Sequence, residues 1–219
     1  ALLYETQIGT QKNVTLADRS SISLNTDTLV RVIYSETARD IFMDRGEAIF
    51  SVEPDKARPF NVHVGDTVVQ AIGTEFNIMV DNDDAQRITV SVLEGKVTIH
   101  DGDENNTKTV VPVLEAGKAI SLVDRYNVTA HQKVNMERIV GWRTGQIVFR
   151  NVALVEAVKD HNRYSNIKII LEDESLKTQH ISGTFTIGDT DALLFALENL
   201  FEIDVDKRKA ELRIKSNAT

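Results

Sequence analysis

The chain is 219 residues long, 42% hydrophobic and 26% charged, with three prolines and no cysteine; that is apolar material enough for two cores of ordinary domain size, with no long polar run to stay disordered. Its formal net charge of -8 excludes a nucleic-acid binder, since phosphate backbones are held by clustered Lys and Arg, and the triplet Lys207-Arg208-Lys209 is a solvated turn too short for such a patch. The missing cysteines exclude disulfides, thiolate metal sites and Cys nucleophiles, and leave the compartment open.

From Val14 to about Val123 apolar and polar residues alternate. The runs Ile22–Leu24, Ile41–Met43, Ile49–Val52, Phe60–Val64, Phe76–Ile78, Ile88–Val92 and Val97–Ile99 predict half-buried strands. Gly46, Gly65, Gly73, Gly95, Gly102 and Gly117 fall between them, where reversals are cheapest. Many short strands with regular turns predict an all-β sandwich, jelly roll or β-solenoid.

After Tyr126 the texture changes. Residues 131–143 read as a polar, partly helical connection carrying the only tryptophan, Trp142, with the boundary near Lys133. A strand is predicted at Gln146–Phe149, then a helix capped by Asn151 that lays Leu154, Ala157, Val158 and His161 on one face. Strands follow at Ile167–Leu171 and His180–Thr186. A second helix, capped by Asp189 or Thr190, sets Leu193, Leu197, Leu200 and Phe201 along one stripe, before strands at Glu202–Asp206 and Glu211–Lys215. The order β-α-β-β-α-β-β predicts a small α+β layer with two helices on one face of a sheet, and at least one sheet edge free to accept another strand. The expected organisation is an all-β domain over 1–132, a linker with Trp142 over 133–145, and an α+β domain over 146–219.

No catalytic motif is present. His63, His100, His131, His161 and His180 stand without a partner at metal-ligand spacing, and each is read as a surface or interface histidine; H-E-x-x-H, a glycine-rich phosphate loop and G-x-S-x-G are all absent. A cupin-like metal barrel needs an H-x-H pair, and neither His63 nor His100 has the second histidine. The acidic runs 81–84 and 101–105 lack the closing Glu of a calcium loop, since the twelfth positions are Val92 and Pro112, and read as hairpin tips. The sequons at Asn13, Asn105, Asn127 and Asn217 matter only in a glycosylating pathway. No cofactor is expected, and the chain is expected not to be an enzyme. A carbohydrate-binding β-domain would want exposed aromatic platforms that a 6% aromatic content hardly supplies; a structural secretin-type module is the remaining alternative. No stretch reaches the roughly 20 apolar residues of a membrane helix, nor does the start resemble a signal peptide. With Ala first, the chain is expected to be an excised piece whose targeting segment lies upstream.

The motifs VTLADRSSISLNTDTLV (14–30), RGEAIFSV (45–52), RPFNVHV (58–64), AIGTEFNIMV (71–80), VLEGKVTI (92–99) and LEAGKAISL (114–122) closely resemble, in this order, the FecR family of Gram-negative transmembrane anti-sigma regulators. Trp142-Arg-Thr-Gly145, Ile181-Ser-Gly-Thr-Phe185 and Asp191-Ala-Leu-Leu-Phe-Ala-Leu197 resemble the small STN-like domain that follows in such proteins. Where the family has Asp-Gly-Ser, this chain has Asp18-Arg19-Ser20, so a tight turn must be made without glycine.

The resemblance implies the periplasmic region of a single-pass inner-membrane protein. By that resemblance it would bind the N-terminal signalling domain of a TonB-dependent outer-membrane transporter and relay iron-siderophore availability. An extracytoplasmic-function sigma factor would be reached through a cytoplasmic segment outside this chain, after cleavage by periplasmic and intramembrane proteases. Without a pocket motif, contact through a sheet edge or apolar face is the expected mode. Leu193, Leu194, Phe195, Leu197, Leu200, Phe201, Ile203 and Val205 are the candidate protein-binding residues. Helical geometry places Leu194 and Phe195 off the Leu193/Leu197 face, either to form an interface or to be covered by the all-β half or the Trp142 connection.

Overall fold

The computed structural model describes residues 1–81, 87–102, 108–123, 128–131 and 135–217. The chain divides into two compact units, Ala1–Met136 and Glu137–Thr219. The predicted boundary at Lys133, the sequons at Asn105 and Asn127, and most of both acidic runs fall outside the described residues.

Through residue 131 the described chain is strand and turn. The strands are β1 (Leu2–Glu5), β2 (Lys12–Thr15), β3 (Ser21–Leu24), β4 (Leu29–Tyr34), β5 (Arg39–Ser51), β6 (Phe60–Val64), β7 (Thr67–Ala71), β8 (Glu75–Asp81), β9 (Arg87–Glu94), β10 (Lys96–Asp101), β11 (Thr109–Glu115), β12 (Ala119–Leu122) and β13 (Val128–His131). All thirteen belong to one curled sheet. The predicted alternation is plain in β6 and β7, whose residues are buried and half-buried in turn.

One strand organises the sheet. The first half of β5 pairs with β4 antiparallel and with β6 parallel, and its second half pairs with β3 and β8. Two wings therefore share β5: β1-β4-β5-β6-β7-β10-β11 and β2-β3-β5-β8-β9-β12-β13. They enclose a common core, in which Phe50 of β5 lies 6.1 Å from Phe60 of one wing and 5.2 Å from Phe76 of the other.

The two runs read as separate strands around Gly46 are thus halves of β5, and Gly46 is a bend in a strand, not a turn between strands. Its φ is +91°, and a Cβ there would overlap the Thr28 hydroxyl and lie 2.6 Å from the Asp27 carbonyl oxygen. Only glycine lets the β3–β4 connection approach so closely. Beside the bend, the buried Glu47 carboxylate accepts hydrogen bonds from the side-chain amides of Asn25 (2.8 Å) and Asn77 (3.0 Å), and the Thr28 hydroxyl meets the Glu47 backbone.

At the start of β5, Arg39 is fully buried. Its Nη1 donates to Asp18 Oδ2 at 2.6 Å and to the Glu53 carbonyl at 2.9 Å, its Nε donates to the Arg58 carbonyl at 2.9 Å, and its guanidinium lies over the Phe60 ring. Asp18 also accepts from the Tyr34 hydroxyl (2.8 Å), the Ser20 hydroxyl (2.7 Å) and the Ser20 N–H (3.1 Å). Burial pushes the Asp18 carboxyl up, but these hydrogen bonds together outweigh it and hold its pKa below the ordinary value. The phenol of Tyr34 is driven well above its ordinary range by burial and by the same carboxylate. Asp18 is also how the turn forms without glycine: Arg19 takes φ 72°, and the Leu16–Ser20 backbone bond and the Asp18–Ser20 bonds close the loop around it.

The second unit begins within α1 (Met136–Val140) and contains a 3₁₀ turn over Gly141–Thr144, β14 (Gln146–Ala153), α2 (Leu154–Asn162), β15 (Lys168–Leu171), α3 (Glu174–Lys177), β16 (His180–Thr186), α4 (Thr190–Leu200), β17 (Ile203–Lys207) and β18 (Glu211–Ser216). The predicted order stands, with the short α3 added. In place of one sheet there are two: β14 with β16, and β15-β18-β17, where β15 and β18 are parallel. Asn151 does not cap α2; it sits at φ 53° in a bulge of β14, its N–H donating to the Ser182 hydroxyl, and Ala153 precedes the helix. Asp189 does cap α4, accepting from the Ala192 N–H at 2.9 Å.

Two substitutions check the N-terminal unit. Arg39→Ala strands the Asp18 charge in the core and is expected to cost about 3–5 kcal/mol; Gly46→Ala is expected to cost more than about 2 kcal/mol through backbone strain and overlap. Urea unfolding followed by circular dichroism measures both, and a change under about 0.5 kcal/mol in either would remove the role assigned to that residue.

Candidate functional site

The predicted binding residues separate into two sets. Leu193, Leu194 and Leu197 of α4 are buried, Leu194 at 5% exposure. Phe195 and Leu200 are open, at 69% and 58%, while Phe201, Ile203 and Val205 are half-buried. Leu194 therefore joins the buried face of α4, contrary to the helical-wheel expectation, and Leu200 leaves the stripe assigned to it. Buried residues at 193, 194 and 197 span about 100° of helix, which is the ordinary width of a core-facing side and wider than a single row.

What remains outward on α4 is compact. Asp191, Glu198 and Asn199 are exposed and stand at i-4, i+3 and i+4 from Phe195, so the ring is flanked by two carboxylates. The Asn199 amide donates to the Phe195 carbonyl at 2.6 Å and closes that turn. From Ile181 to Asp206 the sequence contains no Lys, Arg or His but carries Asp189, Asp191, Glu198, Glu202, Asp204 and Asp206.

The charges on the neighbouring strand are compensated. In the β17–β18 register Asp204 lies opposite Lys215 and Asp206 opposite Arg213, and Asp206 also pairs with Arg208 at 2.9 Å. Those on α4 are not: among the described residues no ion pair joins Asp191 or Glu198 to a cation. β17 pairs only with β18 among the described strands, so its other edge is open.

The histidines divide differently from expectation. His180 is exposed as read, and His63 stacks on Phe42 and pairs with Asp40 at 2.9 Å on the outer face of the first wing. The His131 side chain lies outside the described residues. His161, read as a surface or interface residue, is fully buried, with its Nε2 3.0 Å from the Thr190 hydroxyl and its Nδ1 without a partner. Its place on the inner face of α2 at i+7 from Leu154 was the signal for that burial. Trp142, read as part of a connection, is also buried. Among the described residues no group of three or more His, Cys, Asp or Glu is placed to hold a metal ion, and no helix is long and apolar enough to cross a membrane.

Comparison with known proteins finds a family match in the first unit and a likeness of fold over the whole chain. Residues 3–98 match the family described as FecR protein. Two crystal structures of a candidate anti-sigma factor from Parabacteroides distasonis ATCC 8503 are similar: one, at 1.65 Å, has a TM-score of 0.80, 23% identity and full coverage of both chains; the other, at 2.50 Å, has a TM-score of 0.78, 23% identity and 99% coverage of each. At that identity the likeness is one of fold. No curated protein is significantly similar to the chain.

Opposite outcomes are expected for adjacent residues. Leu194→Asp buries a charge and should abolish the unfolding transition of the second unit or lower its stability by more than about 3 kcal/mol, whereas Phe195→Asp should leave it within about 0.5 kcal/mol. Fluorescence of Trp142, which lies in that unit, reads both; equal effects would contradict the two burials.

Proposed function

From the premise that this chain belongs, through residues 3–98, to the FecR protein family, we propose that it is the sensory region of an anti-sigma regulator, acting by contact with other proteins and not by catalysis. The observation that carries this is the family match over β1–β10, supported by a full-length likeness to solved structures of a candidate anti-sigma factor. The chain then works as the periplasmic region of a single-pass inner-membrane protein. Its partner is the N-terminal signalling domain of a TonB-dependent outer-membrane transporter, and iron-siderophore availability is relayed to an extracytoplasmic-function sigma factor through a cytoplasmic segment of the full-length protein, released by proteolysis.

The contact we assign is the outward face of α4 together with the open edge of β17, within an α+β domain of STN type over 146–219. Strand addition at such an edge supplies main-chain hydrogen bonds, and flanking side chains set specificity. Phe195 is the natural anchor, because a large aromatic that becomes desolvated carries more of the binding energy than its polar surroundings. The unpaired Asp191 and Glu198 favour a partner segment bearing Lys or Arg, and that attraction acts chiefly on the association rate and weakens with salt.

Calorimetric titration of the chain with the isolated signalling domain of the transporter encoded beside it tests the reading: a saturable one-to-one complex is expected, and no binding to any such domain of the organism would overturn it. Phe195→Asp should weaken that complex by at least about tenfold while thermal stability is kept. Unchanged affinity would move the contact away from α4.

A further inference from the structure

The second unit holds a buried ionisable group that the proposed contact does not use. His161 lies on the inner face of α2, in its last turn, and is fully buried. Its Nε2 is 3.0 Å from the hydroxyl of Thr190, the first residue of α4. With a neutral ring, Nε2 and that hydroxyl share one hydrogen bond, whose direction follows the tautomer, and one side chain spans the two helices. Nδ1 has no hydrogen-bond partner. In the protonated ring both nitrogens carry N–H, so Nδ1–H is a buried donor with nothing to accept it, on a ring that has become a cation.

The charged groups that face the ring are Asp189, the cap of α4, which favours the cation, and Lys168 of β15, which opposes it. Lys168 is held in place by its own bond from Nζ to the Asn162 carbonyl at 2.6 Å, one residue beyond His161. Desolvation exceeds the attraction of Asp189, so the ring's pKa lies below its ordinary value.

We propose that His161 is an acid-sensitive latch, joining α2 to the start of α4 while its ring is neutral and releasing α4 when it is protonated, so that Leu193, Leu194 and Leu197 are uncovered. A group whose folded pKa is depressed lets the unfolded chain bind the proton first. The stabilisation is therefore complete above the ordinary imidazole value of 6.5 and is lost as pH falls from there toward the folded value. Within that window each pH unit lowers the folding equilibrium constant by up to about tenfold. Carboxylates titrate lower, which leaves pH 7.5 to 5.5 as the diagnostic range.

The test is urea unfolding of the full chain at both pH values, read by the fluorescence of Trp142, the chain's single tryptophan, in the same unit as His161. The wild-type midpoint should fall between pH 7.5 and 5.5. His161→Gln and His161→Phe, which cannot take up the proton, should remove that fall, while His180→Gln, altering the unit's exposed histidine, should keep it. A pH dependence that survives in both His161 variants, or none in the wild type, would overturn the latch. Should neither variant fold, the ring of His161 in the wild type can be titrated by proton NMR, and a value at or above 6.5 would overturn it equally.

Discussion

Every strand of the first unit is tied, directly or through one wing, to β5, and β5 can serve two wings only because its backbone bends where no side chain fits. At Gly46 the chain passes against Thr28 and the Asp27 carbonyl at a distance that a Cβ would violate, and the bend turns the second half of the strand toward β3 and β8. A bent strand carries backbone strain and exposes polar groups to the core, so it needs fixed partners on both sides. Glu47, held by Asn25 and Asn77, supplies them beside the bend. Arg39 supplies them at the strand's start, linking Asp18, Glu53 and Arg58 in one buried cluster. A buried ion pair is weak evidence of net stability, since two ions must leave water. Its use here is geometric, because the fork of one guanidinium fixes two separate connections, β2–β3 through Asp18 and β5–β6 through Glu53 and Arg58, against the first residue of the central strand.

Much of this was legible in the sequence because a period of two leaves an alternating pattern wherever one face is buried and the other is not. Phe60 to Val64 read as a strand and is one. The strand over Leu29–Tyr34 is less legible, although Val30 and Val32 alternate with Arg31, because it lies between polar runs without a glycine to mark its end. Gly46 was legible as special but not as a bend: a glycine flanked by two apolar runs looks the same whether the chain reverses or merely curves. The turn at Asp18-Arg19-Ser20 carried the opposite ambiguity. A missing glycine suggested strain, and the strain is present at Arg19; what local sequence does not reveal is that Asp18 is fixed by Arg39, 21 residues away. Long-range partners decide whether a local rule can be broken, and no window of neighbours contains them.

In the second unit a period of 3.6 found α2 in full, since Leu154, Ala157, Val158 and His161 are all buried. It found α4 only in part. A helical wheel read as one narrow stripe leaves Leu194 out, whereas the buried arc of α4 includes it and the outward arc narrows to the neighbourhood of Phe195. The candidate site was accordingly legible as a segment but not as a surface. An unpaired acidic face around an aromatic ring emerges only when buried leucines are subtracted from the list of apolar residues.

The two proposals for the second unit meet on α4. Phe195 faces outward in its middle, and Thr190 is held from within at its first turn by His161. Linkage makes the meeting consequential: a partner that binds only the seated helix must lower the affinity of His161 for its proton by the same factor by which that proton weakens the partner. Contact at the outer face would then stabilise the latch without touching it, and acid would weaken contact without altering a single binding residue. Coupling of this kind needs no path of moving side chains between the two places. It requires only that α4 be seated or loosened as a unit, and an eleven-residue helix fastened by one cap, one buried imidazole and three leucines has few other ways to respond.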